Sequence, residues 1–289
     1  MAIAKIDCFA GASGDMFLGA WLDVGISEDA WLAGVRPLLE GQGEIEIARA
    51  IKQEIAATRV LIRHKEGHVH RHLADVEAII DAADLPDVVK RKAKDAFFHL
   101  AVAEASIHGT TPDAIHFHEV GAIDAIVDIV GAMWAWHLAG EPDCYVSPIE
   151  VGGGSAICAH GRVPVPAPAT LALLKGFPIY SSGLWGETTT PTGAAIIRVL
   201  AKAMPVRPMR VDAIGYGAGT KDLPVANVLR ISLGEWVGAG PDASEALHRP
   251  ESHGGHAHHH HHHHHPHEEA NGGHHTEHHP SHAGEGTTI

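Results

Sequence analysis

The chain has 289 residues, 45% apolar and 19% charged, and its 21 Lys and Arg against 35 Asp and Glu give a formal charge of −14. An acidic chain without a Lys/Arg cluster argues against nucleic acid or an anionic membrane as the main partner. Asp7 and Asp15 interrupt the first apolar stretch, and Asp124, Asp128 and His137 break the most apolar one, so neither a signal peptide nor a spanning helix is expected.

Ala2 to Phe9 predicts an opening strand, and Ala10-Gly11-Ala12-Ser13-Gly14-Asp15 a small-residue loop before a helix from Met16 to Val24 that stops at Gly25. Strand, Gly-rich loop and helix present backbone N–H groups to an anion. No Gly-Lys-Ser/Thr follows, so the loop is not a Walker A loop. Ser13 or Asp15 either caps the helix, or Asp7 and Asp15 face a ligand. Glu28 to Leu39 reads as a helix, and Glu44 to Ile51 with Ile55 to Arg63 as an antiparallel strand pair. In the next segment His68, His70 and His72 alternate, which puts three imidazoles on one side of an extended backbone. That pattern suits a loop touching metal or substrate; an exposed polar loop is the alternative.

Leu73 to Ala83 and Pro86 to His108 predict two helices, whose Asp75, Glu77, Lys90, Lys92, Lys94 and Glu104 form a solvated face. After the turn Thr110-Thr111-Pro112-Asp113 comes His116-Phe117-His118-Glu119-Val120-Gly121, then a buried helix from Ala122 to His137. His116 and His118 share a face of the extended segment, and Asp124 and Asp128, four apart, share a face of the helix. These are ligand types for a borderline divalent metal. Spacing alone leaves equally open that the Asp pair answers the helix dipole and the histidines are packed.

Tyr145 to Val151 predicts a strand, and three prolines between Val163 and Pro168 stiffen the path to a helix over Ala169 to Lys175, with His160 and Arg162 at its mouth. Thr190 and Pro191 sign a helix start after Thr188 and Thr189, with the helix running from Ala194 to Ala203; the extra threonines would suit a phosphate. Arg210 to Gly217 and Asn227 to Leu233 read as strands around a flexible joint, Gly215-Tyr216-Gly217-Ala218-Gly219. Cys8, Cys144 and Cys158 have no CxxC spacing and fit reduced thiols in a cytoplasm. From about Pro241 the composition turns to Gly, Pro, Ser, Glu and His, and 16 of the 27 histidines lie at or beyond His253. The organisation expected is therefore a globular body over residues 1–240 and a disordered, metal-binding tail over 241–289. The fold class expected is α/β, with α+β as the alternative: a mixed sheet with flanking helices.

The opening Asp7-to-Met16 stretch, His68-Val69-His70-Arg71-His72-Leu73, the His116-to-Gly131 run, Pro164 to Thr170 and Thr189 to Ala195 together resemble the LarC-type nickel-insertion family, in the same order and over about residues 3 to 234. The resemblance implies insertion of nickel into pyridinium-3,5-bisthiocarboxylic acid mononucleotide. Two thiocarboxylate sulfurs take the metal and the ring carbon between them loses a proton, giving the nickel pincer cofactor of lactate racemase-type enzymes. That is a lyase-type nickel chelatase, or cyclometallase, using CTP with magnesium or manganese and passing its product to apo-enzymes. Full-length members continue into a second globular part with which the nucleotide is associated; here that part is either a separate C-terminal family domain, which makes this chain one half of a split enzyme, or absent.

Set against this chemistry, Gly11, Ser13, Gly14, Asp15, Thr189 and Thr190 are candidates to cradle the phosphate. His68, His70, His72, His116, His118 and Glu119 are candidate nickel ligands. Asp124, Asp128 and His160 are candidate bases for the ring proton. The alternative function is a metallochaperone that stores or delivers nickel through its tail without chemistry of its own. A weaker alternative is a metal-dependent phosphohydrolase built on His116, His118, Asp124 and Asp128.

Overall fold

The structure, a computed structural model, describes residues 2–39, 41, 43–64, 71–117, 121–158 and 161–238. Contacts divide the chain into residues 1–248 and 249–289. The predicted His-rich tail lies outside the described residues, as do His68, His70, His118, Glu119 and His160.

Strand β1 (Ala2–Asp7) leads into helix α1 (Gly14–Asp23), then α2 (Glu28–Val35). The helix predicted to reach Leu39 changes to a 3-10 turn over Arg36–Leu39, where Pro37 has no N–H for an α-helical bond. Next come the hairpin β2 (Gly43–Lys52) and β3 (Ile55–His64), the short β4 (Arg71–His72), and helices α3 (Leu73–Ala82) and α4 (Asp87–His108). Helix α4 ends at Gly109, whose left-handed φ of 66° is the usual glycine stop. Short β5 (His116–Phe117) precedes α5 (Ile123–Leu138).

The strand predicted over Tyr145 to Val151 is broken at Pro148 into β6 (Asp143–Val146) and β7 (Ile149–Glu150). Three short strands follow, β8 (Gly152–Gly153), β9 (Ser155–Cys158) and β10 (Gly161–Pro164). The last two pair as an antiparallel hairpin absent from the sequence-based expectation. Helix α6 (Pro168–Leu173), β11 (Ile179–Tyr180) and β12 (Gly186–Glu187) lead to α7 (Pro191–Leu200). The predicted end of that helix is instead β13 (Ala201–Ala203), drawn out of helical form by parallel pairing with β6. Strands β14 (Met209–Ala218) and β15 (Val228–Trp236) close the series.

Seven strands form one mixed sheet in the order β13-β6-β1-β15-β14-β3-β2. Neighbours joined through helical crossovers run parallel and the hairpins run antiparallel, as connection length dictates. Ala4, Ile6, Leu229 and Ile231 enter the core, while the alternating Lys5, Asp7 and Arg230 carry ion pairs. Helix α1 lies across β14 unusually closely. A Cβ on Gly217 would overlap the Met16 carbonyl, and one on Gly215 would meet the Ala20–Val24 backbone. The predicted Gly215-to-Gly219 joint is thus mostly sheet, with glycines serving helix approach rather than bending. Helix α5 is apolar nearly all round and accordingly central. Trp31 of α2 donates its indole N–H to the Gly131 carbonyl of α5 at 2.9 Å.

Candidate functional site

The site begins where two distant loops are stitched together. Ala12 donates its N–H to the Thr188 carbonyl at 3.1 Å and accepts from the Thr190 N–H at 2.9 Å. Gly11 takes a φ of 97°, and its missing side chain leaves space for the Thr188 backbone; Gly193 likewise clears the Ala12 carbonyl. This bridge sets the N-termini of α1 and α7 side by side. The macrodipoles of both helices therefore act on one region.

Each threonine has a definite duty. Thr188 and Thr189 donate their hydroxyls to the Glu150 carbonyl at 3.1 and 2.6 Å. Thr190 is the N-cap of α7, accepting from the Gly193 N–H at 3.2 Å, with Pro191 next. The Glu150 carboxylate is itself wholly buried and accepts from the Gly152 and Ser182 N–H groups, each at 2.8 Å, so it locks these loops rather than facing a ligand.

At α1, Ser13 occupies the N-cap position without capping; its hydroxyl donates to the Asp15 carboxylate, which also accepts the Met16 N–H at 2.9 Å. Asp128 of α5 reaches the same helix start because Gly14 has no side chain there. One oxygen of Asp128, Oδ1, is buried and has no hydrogen-bond partner among the described residues. Burial holds the Asp128 carboxyl well above the usual range, and the charges of Asp15 and Asp124 add to the shift. Asp15 is also raised by burial, against the opposing Ser13 and Met16 hydrogen bonds and the charge of Lys221.

Between these groups lies a cavity of about 210 Å³, lined by Ser13, Gly14, Asp15, Asp128, Glu187, Thr188, Thr190, Thr192, Lys221 and Asn227 among others. A second cavity, about 220 Å³, shares Glu187 with the first. Its walls are largely apolar, with Ile157, Val163, Pro168 and Phe117, but also hold Glu104, His108, His116 and Cys158.

His116 pairs with His72 across the β4–β5 ladder, their ring centroids 3.8 Å apart. His72 Nδ1 lies 3.1 Å from the Ile115 carbonyl, which can only accept, so Nδ1 carries the proton of that bond. Among the described residues no group of three or more His, Cys, Asp or Glu side chains is placed to hold a metal ion.

A model of the family described as nickel insertion protein matches residues 4–271. The chain belongs to the nickel insertion protein family. It is 48% identical over 236 residues to the pyridinium-3,5-bisthiocarboxylic acid mononucleotide nickel insertion protein of Desulfitobacterium hafniense, covering 81% of this chain and 59% of that relative. A putative nickel insertion protein of Dictyoglomus thermophilum is 44% identical over 238 residues, 82% of this chain and 62% of the relative. The Geobacillus kaustophilus protein named like the first is 43% identical over 251 residues, 81% and 60% of the two chains. The chain thus spans about three fifths of the length of these curated relatives. No solved structure matches.

Within this nickel-insertion chain the residues singled out from sequence fall into three groups. Ser13, Gly14, Asp15, Thr190 and Asp128 line the first cavity, whereas Gly11 and Thr189 do not: the Thr189 hydroxyl is buried and engaged and Gly11 serves the backbone. His72 and His116 form the second group, with His116 on the second cavity. Asp124 stands apart, half-exposed and 3.8 Å from His64 Nε2, and lines neither cavity. Asp7 is taken by Arg230 at 2.8 Å and Lys5 at 3.0 Å, and Arg162 by the Ser155 hydroxyl at 3.1 Å.

Lys221, Asn227, Glu187, His108 and Cys158 escape the sequence reading. Lys221 sits in an ordinary-looking turn between strands, and Asn227 opens a predicted strand but stands just before the observed one. Glu104, read as helix surface, and His108, the end of the same predicted helix, have the i,i+4 spacing of a ligand pair, and their atoms come within 3.4 Å. No described helix is long and apolar enough to cross a membrane.

Proposed function

We propose that this chain inserts nickel into pyridinium-3,5-bisthiocarboxylic acid mononucleotide, as the chemical half of a cyclometallase. The observation that carries the reading is the pair of adjoining cavities with opposite chemistry, joined at Glu187. The names of the relatives support the same substrate.

In this reading the phosphate lies in the first cavity, where two helix N-termini and Lys221 favour an anion. Gly14 and Ser13 shape the rim and Thr190 fixes the helix start. The planar ring and its two thiocarboxylates occupy the second cavity, whose apolar walls suit an aromatic ring. Nickel is cargo. His72 and His116 supply imidazoles on its way in, joined in the proposal by His68, His70, His118 and Glu119 of the adjacent segments. The substrate sulfurs, softer ligands, then take the metal over.

Loss of the ring proton needs a base within reach of the ring carbon. Glu187, on the wall common to both cavities, is placed for it. Asp128 faces the phosphate end and Asp124 neither end; His160, outside the described residues, is kept as the other candidate base from the sequence. CTP with magnesium or manganese, passage of the product to apo-enzymes, and a separate second domain complete the proposal as the family resemblance has them.

The test is conversion of the bisthiocarboxylate mononucleotide by this chain with nickel, CTP and magnesium, followed by the new nickel–sulfur absorption. Product from the chain alone makes it a complete insertase. Product only after the second family part is added makes it one half of a split enzyme. No product in either case overturns the reading in favour of nickel storage. Deleting residues 252–289 separates the roles further: conversion that survives at high nickel makes the tail a reservoir.

A further inference from the structure

The first cavity combines groups that would repel any single ion. The ends of α1 and α7 and Lys221 favour an anion, but Asp15 and Asp128 face the same space. A bare phosphate would meet the carboxylates of Asp15 and Asp128, with Glu187 on the same wall; a bare cation would meet a lysine and two positive helix ends. A phosphoryl group carrying a hard dication satisfies both sets. Magnesium and manganese take this arrangement elsewhere, bound through one or two carboxylates and phosphate oxygens while keeping water ligands.

A second, independent observation concerns Asp128. Its Oδ1 is buried without a hydrogen-bond partner among the described residues, an unusual state for a carboxylate oxygen. Gly14 is what admits this carboxylate to the helix start; any side chain there would displace it. Asp15 is pre-oriented by the Ser13 hydroxyl and Met16 N–H.

We propose that Asp15 and Asp128 clip a hard divalent cation onto a phosphoryl group held at the N-termini of α1 and α7 beside Lys221. The proposal rests on the reading that the phosphoryl group lies in this cavity. Burial holds both carboxyls above their ordinary range, the charge of Asp15 adds to the shift of Asp128, and a dication relieves that repulsion. Two sources can supply the phosphoryl group: the monophosphate of a pyridinium nucleotide, or the triphosphate of a nucleoside triphosphate.

The experiment titrates the full chain with manganese and follows free manganese by electron paramagnetic resonance, with nicotinamide mononucleotide, CTP, inorganic phosphate or no addition. Each titration is read against the same mixture without protein. Calorimetry measures binding of each phosphorylated probe in the absence of metal. Manganese affinity is expected to rise about tenfold with the correct probe, and probe affinity to rise by the same factor with manganese. Asp128→Asn and Asp15→Asn should each abolish the enhancement. Asp222→Asn, an exposed carboxylate paired to Lys52, should keep it. Tail imidazoles bind manganese irrespective of the probe, so they cancel in the comparison.

Enhancement by nicotinamide mononucleotide assigns the clip to a monophosphate, and enhancement by CTP alone assigns it to a triphosphate. Probe binding without enhancement, or enhancement unchanged in both Asn variants, overturns the clip and leaves the phosphate reading standing. No probe binding with or without manganese overturns both.

Discussion

Gly14→Ala separates helix propensity from close packing at the centre of the site. Gly14 opens α1 in ordinary backbone geometry, so propensity alone favours alanine, by up to about 1 kcal/mol in a helix interior and less at a first turn. The added methyl, however, falls on the Cβ, Cγ and Oδ2 atoms of Asp128. Asp128 is short and rooted in the central helix α5, so it cannot swing far. Overpacking of this kind costs about 1–3 kcal/mol. The net expectation is a loss of about 1–2 kcal/mol, or a fall in Tm of roughly 2–8 °C for a body of this size. Thermal and urea unfolding measure it. Asp128→Gly removes the obstructing atoms, so alanine at position 14 should cost at least about 1 kcal/mol less in that background. Equal cost in both backgrounds, or a stabilised single variant, would refute the argument that Gly14 exists to admit Asp128.

Three further outcomes follow from the same geometry. The Asp128 carboxyl is raised in the fold, while in the unfolded chain it titrates near ~3.9. Its penalty is therefore absent below that pH and grows as pH rises toward the folded value. Asp128→Asn should accordingly leave Tm unchanged near pH 3.5 and raise it at pH 7, by roughly 2–4 °C per kcal/mol; a gap that narrows with rising pH contradicts this. Thr189→Val should cost about 1 kcal/mol in urea unfolding, because Thr188 still donates to the Glu150 carbonyl, whereas the Thr188→Val/Thr189→Val pair should cost more than the two singles together. Strict additivity would show that the two hydroxyls do not share that carbonyl's stabilisation. Burial pushes the Cys144 thiol up to about 12 and raises Cys8 as well, while Cys158 is half-buried on the second cavity. A disulfide reagent should therefore titrate one thiol quickly in the native chain and three after unfolding; rapid reaction of Cys8 or Cys144 would contradict their placement.

Local signals carried much of the fold. The alternation in Gly43–Lys52 and Ile55–His64, the apolar run of α5 and the Thr190-Pro191 start depend on neighbours in sequence, and each element formed where its pattern stood. The misread pieces are those decided by distant partners. Ala201–Ala203 continues a helical pattern but is captured by the edge of β6. The glycines of β14 resemble a hinge because the helix they accommodate is nearly two hundred residues earlier. The site follows the same rule. The Gly-rich loop, the threonines and Asp128 were visible as motifs, yet nothing local joined Asp128 to Gly14 or brought Lys221 between two helix ends. The resemblance to the nickel-insertion family was legible because several long motifs recur in order, and the family match bears it out.

The first strand pairs with the last, Ala2 opposite Glu235, and Ala12 is bound to Thr188 and Thr190. During synthesis β1 therefore emerges long before β15, which begins at Val228. At ~5–20 residues per second the wait is roughly 10–40 s. Through that interval the β15 edge of β1 has an unmet row of amides and carbonyls, and for most of it the loop after β1 has no Thr188 or Thr190 to lean on. The candidate site is a late event in the life of the chain, and a ligand of the proposed cavity, added to a folding reaction, should act only on the final step.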